Sequence, residues 1–147
     1  MKNLNITGSH EKAFPPALDF DGANGYREIL EPTVCFDTET GQCSIVGSCF
    51  MTNPMDFFEP LIEWVEQYFQ TWESSLHMRM QIWFMNTSSC QLIYNLLKVL
   101  EDLWKAHKDI EVVWEYLEDN EDMKESGEDC MAIFELPIQL IPVQKEG

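Results

Sequence analysis

"LHMRMQIWFMNTSSCQLIYNLL", residues 76–97, decides the fold. Its first half sets Met78, Met80, Ile82 and Phe84 against His77, Arg79, Gln81 and Trp83, a period of two that predicts a strand with one apolar and one polar side. Beyond it, Leu92, Ile93, Leu96, Leu97, Leu100, Leu103 and Trp104 recur at helical spacing, predicting a helix from about Ser88 to about His107. Between the two periods stand Asn86, Thr87, Ser88 and Ser89.

If Ser88 is the N-cap, Gln91 three residues on completes a capping box of the S-x-x-Q kind, worth about 1 kcal/mol. That leaves Thr87 just outside the helix, at the tip of a strand-to-helix turn. Loops at the carboxyl ends of strands in α/β sheets line the surface where ligands and partners bind, so this hydroxyl is expected to be exposed. A phosphate there would meet backbone N–H groups and the positive end of the helix dipole. The pattern admits two readings, a plain cap and turn or a regulated hydroxyl.

Upstream, Leu4 to Ile6 reads as a short first strand and Gly8 to Gly25 as a long connection. Thr33 to Phe36 and Cys43 to Val46 flank "DTETGQ" as a hairpin, ended by Gly47 and "TNP". Asn53 before Pro54 fits the start of a helix, and Phe57, Phe58, Leu61, Ile62, Trp64, Val65, Tyr68 and Phe69 give it a broad apolar face. Downstream, "DIEVVWEYL" returns to β character, "DNEDMKESGEDCMAIF" reads as a shorter third helix, and "PIQLIPV" as an edge strand, where proline is tolerated. The order β, hairpin, α, β, α, β, α, β predicts one α/β domain over residues 1–147, with a mixed, mainly parallel sheet flanked by helices.

Charge narrows the partners. The 147 residues hold 26 acids against 9 Lys and Arg, a net charge of −17. Such a domain repels nucleic acid and anionic lipid and attracts basic protein surfaces. The N-terminus lacks a signal-peptide core and no apolar run is long enough to span a bilayer, so a cytoplasmic protein is expected, with no membrane and no nucleic acid among its partners. Cys35, Cys43, Cys49, Cys90 and Cys130 include no C-x-x-C pair and read as reduced, mostly buried thiols.

Chemistry is sparse. There is no G-x-G-x-x-G and no P-loop. His10, His77 and His107 fall on different elements, and neither a catalytic residue, a metal site nor a cofactor is assigned. Cys90 lies in the first turn of the second helix, where a thiolate is stabilised, but no histidine stands at a suggestive position, so a small hydrolase is only a formal alternative. From Glu111 to Asp129 the acids Glu111, Glu115, Glu118, Asp119, Glu121, Asp122, Glu125, Glu128 and Asp129 face the single base Lys124. This run is either a solvated face or a docking surface for a basic partner, and its spacing does not follow that of a calcium loop.

Four features together resemble a known family: "NTSS" at residues 86–89 after an apolar strand, the leucine-rich helix behind it, "VVWEYLEDNEDMKESGEDC" at residues 112–130, and "ELPIQLI" at residues 135–141. From about Met51 onward the chain resembles the SiaC-type regulatory phosphoproteins of bacteria, whose domain is similar to that of anti-sigma-factor antagonists. The resemblance implies a STAS-like fold and a non-enzymatic partner-switching protein. It implies that Thr87 is phosphorylated by a kinase of the histidine-kinase-like ATPase class and released by a phosphatase, with phosphorylation blocking a complex made by the unmodified protein. A diguanylate cyclase is the target it implies, and Asn86, Thr87, Ser88 and Ser89 are the expected partner-binding tip. The competing expectation is a constitutive adaptor that uses the acidic run and ignores phosphorylation.

Overall fold

A computed structural model describes residues 1–8, 20–21, 25–26, 30–51 and 53–144. Most of the expected Gly8 to Gly25 connection, and His10 with it, lies outside the described residues. Among the described residues eight strands and three helices follow one another as β1 (Leu4–Ile6), β2 (Phe20–Asp21), β3 (Gly25–Tyr26), β4 (Thr33–Phe36), β5 (Gln42–Cys49), α1 (Pro54–Thr71), β6 (Leu76–Met85), α2 (Thr87–Lys105), β7 (Ile110–Leu117), α3 (Glu121–Ile133) and β8 (Ile138–Val143). Six strands form one mixed sheet in the order β1-β4-β5-β6-β7-β8, and β2 pairs with β3 separately. The β1–β4–β5 pairings are antiparallel, whereas β5 to β8 run parallel.

The parallel strands are laid down in chain order with a helix between each pair. A right-handed crossover repeated in one direction puts every helix on the same face. The register bears this out: Ile45 pairs with Met80, Met80 with Trp114 and Trp114 with Leu140, so these four side chains share a face. On it lie Phe58, Leu61, Val65 and Tyr68 of α1, Ile93, Leu96, Leu97 and Leu100 of α2, and Met123 and Cys130 of α3, all in one buried cluster. Trp114 is wholly buried, its indole N–H donates to the Met123 carbonyl at 3.0 Å, and a Cβ on Gly127 would lie 2.6 Å from its ring. Glycine is therefore required where α3 crosses β7.

The opposite face of β6 and β7 is polar. Arg79 Nη1 donates to Glu115 Oε1 at 2.8 Å, Gln81 Nε2 reaches the same oxygen at 3.1 Å, and His77 Nδ1 lies 3.3 Å from Glu111. Half-exposed pairs of this kind add little stability, and they explain the period-two pattern of residues 76–82: one side meets the helices, the other meets water. The alternation breaks at Trp83, which the sequence pattern sets on the polar side but which is buried, while Phe84 is half-buried.

The hairpin turn, the three helices and the edge position of β8 match the sequence expectations. β5 runs beyond Val46 and its glycine to Cys49; its pairing with β6 steps from Gly47–Ile82 to Ser48–Phe84, so the extra residue of this bulge is Trp83 on β6. Asn53 does precede Pro54, yet it makes no side-chain cap bond; its amide donates to Asp56 Oδ2 at 2.9 Å. Gly41, at φ +71°, closes the "DTETGQ" turn, where a side chain would meet the Ser75 carbonyl and the Tyr68 hydroxyl.

Candidate functional site

The carboxyl ends of the parallel strands carry two helix starts built on one plan. Asn86 caps α2: Oδ1 accepts the Ser89 N–H at 2.9 Å, while Nδ2 donates to the Met51 carbonyl at 3.2 Å. Asn120 caps α3: Oδ1 accepts the Met123 N–H at 3.3 Å, while Nδ2 donates to the Trp83 carbonyl at 2.9 Å. Each primary amide satisfies its own helix with the oxygen and a neighbouring segment with the nitrogen; an ionised aspartate has no donor for the second bond, and a serine has one short hydroxyl in place of two separate polar atoms. The Asn86 N–H also donates to the Cys49 carbonyl at 3.1 Å, tying the helix start to the end of β5.

This corrects the expected cap. Ser88 is not the N-cap and makes no capping box with Gln91; its hydroxyl is 3.5 Å from Asn86 Oδ1 on an exposed turn. Thr87 is the first residue of α2 rather than a residue outside it. The asparagine wins because its second bond is tertiary, a contribution that local sequence patterns do not carry.

The four expected tip residues divide accordingly. Thr87 and Ser88 are exposed and Asn86 is half-buried. Ser89 is wholly buried with no hydrogen-bond partner for its hydroxyl, so it offers no side chain to a partner. In the first turn the Ser89 and Cys90 N–H groups are taken up by Asn86, and those of Thr87 and Ser88 have no carbonyl to reach within the helix. An anion attached to Thr87 would lie beside those donors and the positive helix end.

Behind Thr87 an open groove of about 400 Å³ runs between the first turns of α2 and α3. Met85, Thr87, Cys90 and Tyr94 form one wall, and Met123 and Ser126 the other. Burial, then the neighbouring Cys90 and Cys130 thiols, raise the Tyr94 hydroxyl above its ordinary pKa. Burial likewise pushes the Cys130 thiol up to about 12. Both groups are held neutral at physiological pH, which suits packing rather than acid–base work. The sequence reading missed this groove because its walls come from elements about 30 residues apart.

Elsewhere the expected candidates stay apart. His77 is on the polar sheet face, and His107 follows α2 at φ +70°, near Lys108 and Asp109 at the other end of the sheet. The acids of the run from Glu111 to Asp129 split between β7, where Glu115 is paired with Arg79, the exposed turn of Glu118 and Asp119, and the exposed side of α3. Among the described residues no group of three or more His, Cys, Asp or Glu is placed to hold a metal, and no helix is long and apolar enough to cross a membrane.

Residues 26–143 match the family described as SiaC family regulatory phosphoprotein. The chain belongs to this family. An uncharacterized protein of Pseudomonas aeruginosa (strain UCBPP-PA14) is 26% identical over 98 residues, 67% of this chain and 78% of that protein. Apo-SiaC from Pseudomonas aeruginosa has the same fold, with a TM-score of 0.76 at 20% identity over 96% of this chain and 99% of that one. The SiaC-type domain is also similar to a chain in a crystal structure of the diguanylate cyclase SiaD in complex with its activator SiaC, from the same organism. There the TM-score is 0.72 at 23% identity, covering 76% of this chain and 92% of that one.

Proposed function

We propose that this SiaC-family protein is a non-enzymatic cytoplasmic signalling protein, reversibly phosphorylated on Thr87, whose phosphorylation state controls binding to a downstream target. The observation that carries this reading is the placement of Thr87 in a member of a regulatory phosphoprotein family. It is an exposed hydroxyl on the first residue of a 19-residue helix, beside backbone donors that a phosphate can use. A cognate serine/threonine kinase and a phosphatase are the enzymes the cycle requires. The target is a diguanylate cyclase, a reading supported by the complex of SiaD with its activator SiaC. The exposed tip of Thr87 and Ser88, held by Asn86, forms part of the surface the target meets; Ser89 acts from inside as packing.

Intact mass after incubation with ATP and the cognate kinase tests the proposal on the native chain, on Thr87→Ala and on Ser88→Ala. One added phosphate on the native chain and on Ser88→Ala, absent from Thr87→Ala, is the expected result. Full modification of Thr87→Ala would overturn it. No modification of any chain by a kinase active on itself would favour the constitutive adaptor, in which neutralising several acids of the run from Glu111 to Asp129 abolishes partner binding and Thr87→Glu does nothing.

A further inference from the structure

We infer that the groove between the first turns of α2 and α3 is a docking site for a basic amphipathic helix, one apolar side chain of which enters between Tyr94 and Met123. This rests on the reading above for the role of Thr87, and it adds the chemistry of the partner and the means by which phosphate would act. The groove is open and its walls are carried by two helices, a shape that accepts the apolar stripe of a third helix rather than enclosing a small molecule. Its inner surface is supplied by Met85, Cys90, Tyr94 and Met123, and methionine adapts to an incoming side chain.

The rim is asymmetric in charge. On the α2 side Thr87, Ser88 and Gln91 are neutral, whereas on α3 Met123 and Ser126 are flanked by Asp122, Lys124 and Glu125, with Asp129 one turn on; the three acids are exposed and the one base, Lys124, is half-buried. A partner helix with Lys or Arg along one flank and an uncharged opposite flank complements both sides, and the net charge of −17 steers it inward. Thr87 is itself part of the wall. Its phosphorylation would place a hydrated dianion at the mouth through which the apolar side chain must pass, so the mouth closes by desolvation cost even though the partner is basic.

The test uses the unphosphorylated full-length protein without kinase, so its outcome is independent of whether Thr87 is the acceptor. A stapled, fluorescein-labelled helical peptide carries a leucine anchor, arginines along one flank and serines along the other. Its companions replace the leucine by alanine or the arginines by glutamate. Binding is read by fluorescence anisotropy and located by amide shifts of the ¹⁵N-labelled chain. The expected result is shifts centred on Cys90, Tyr94 and Ser126, with at least tenfold weaker binding of the alanine peptide. Ser126→Trp and Gln91→Trp, which fill the groove from opposite walls, should each lower affinity at least tenfold while thermal melts and circular dichroism confirm the native fold. Equal binding of the leucine and alanine peptides, equal binding of the glutamate peptide, or shifts centred on the polar sheet face would each overturn the proposal.

Discussion

Asn86 joins Met51 to the first turn of α2, donating to the Met51 carbonyl at 3.2 Å while accepting the Ser89 N–H at 2.9 Å. The helix start is therefore positioned by the segment after β5 as much as by its own sequence, and the orientation of Thr87 depends on both bonds. Asn86→Ala should cost about 2 kcal/mol in urea unfolding, roughly 1 for the cap and roughly 1 for the Met51 carbonyl left without its donor. Asn86→Ser keeps the cap alone and should cost about half as much. Equal stability of the serine variant and the native chain would show that the Met51 bond contributes nothing.

Gly127 makes a sharper prediction. Alanine is the better helix former by about 1 kcal/mol, so propensity alone predicts a gain from Gly127→Ala. The added carbon, however, would stand 2.5 Å from Leu140 Cδ1 and 2.6 Å from Trp114 Cδ1, and Trp114 is fixed by its bond to the Met123 carbonyl. Overpacking of this kind costs about 1 to 3 kcal/mol and should prevail, lowering the unfolding midpoint. An unchanged or raised midpoint would mean that α3 shifts freely on the sheet.

The contrast between these two positions shows what the sequence could disclose. The strand at residues 76–85 was legible because, over residues 76–82, burial on one side and water on the other leave a period of two, with Arg79 and Gln81 marking the wet face. The long helices were legible because each buries a continuous stripe. The start of α2 was not, since "NTSS" offers several residues able to cap, and the choice of Asn86 is made by carbonyls 35 or more residues earlier. A glycine usually interrupts a strand, which makes the residues following Val46 read as an ending, whereas β5 stays paired with β6 through Gly47 to Cys49 and the irregularity falls on β6 at Trp83. The exposure of Thr87 at the strand-to-helix junction was legible, but the groove beside it was not, being assembled from Met85 to Tyr94 and from Met123 and Ser126.

The thiols should divide by burial. Cys43, Cys49 and Cys130 are buried, and desolvation raises the pKa of all three, which removes the reactive thiolate at neutral pH. Cys35 is exposed and Cys90 half-buried in the groove wall. Peptide mapping after brief iodoacetamide treatment at pH 7.5 should find label on Cys35 and, more slowly, on Cys90, with the other three labelled only after denaturation. A peptide docked in the groove should protect Cys90 and leave Cys35 unaffected. Rapid labelling of Cys130 in the native protein would contradict the packing of α2 against α3.

Glu101 supplies the pH dependence. Its side chain is buried on α2, accepts the Glu135 N–H at 2.6 Å, and lies 3.1 Å from Lys98 Nζ and 3.9 Å from Lys105 Nζ. Burial alone would raise this carboxyl, but the Glu135 N–H and the two ammonium groups outweigh it and hold the folded pKa below the ordinary 4.5. The stabilisation is thus complete above the unfolded value and is lost as the pH falls through the lower, folded one. Glu101→Gln keeps an acceptor and loses the charge, so it should cost about 1 to 2 kcal/mol at pH 7. The gap between the native chain and this variant should stay level down to about pH 5 and narrow below about pH 4.5, since the many other carboxylates titrate alike in both proteins. Urea unfolding of the pair from pH 7 to pH 3.5 measures it, and a gap that stays constant to the acid end would show that the Glu101 charge does not hold α2 to the segment after α3.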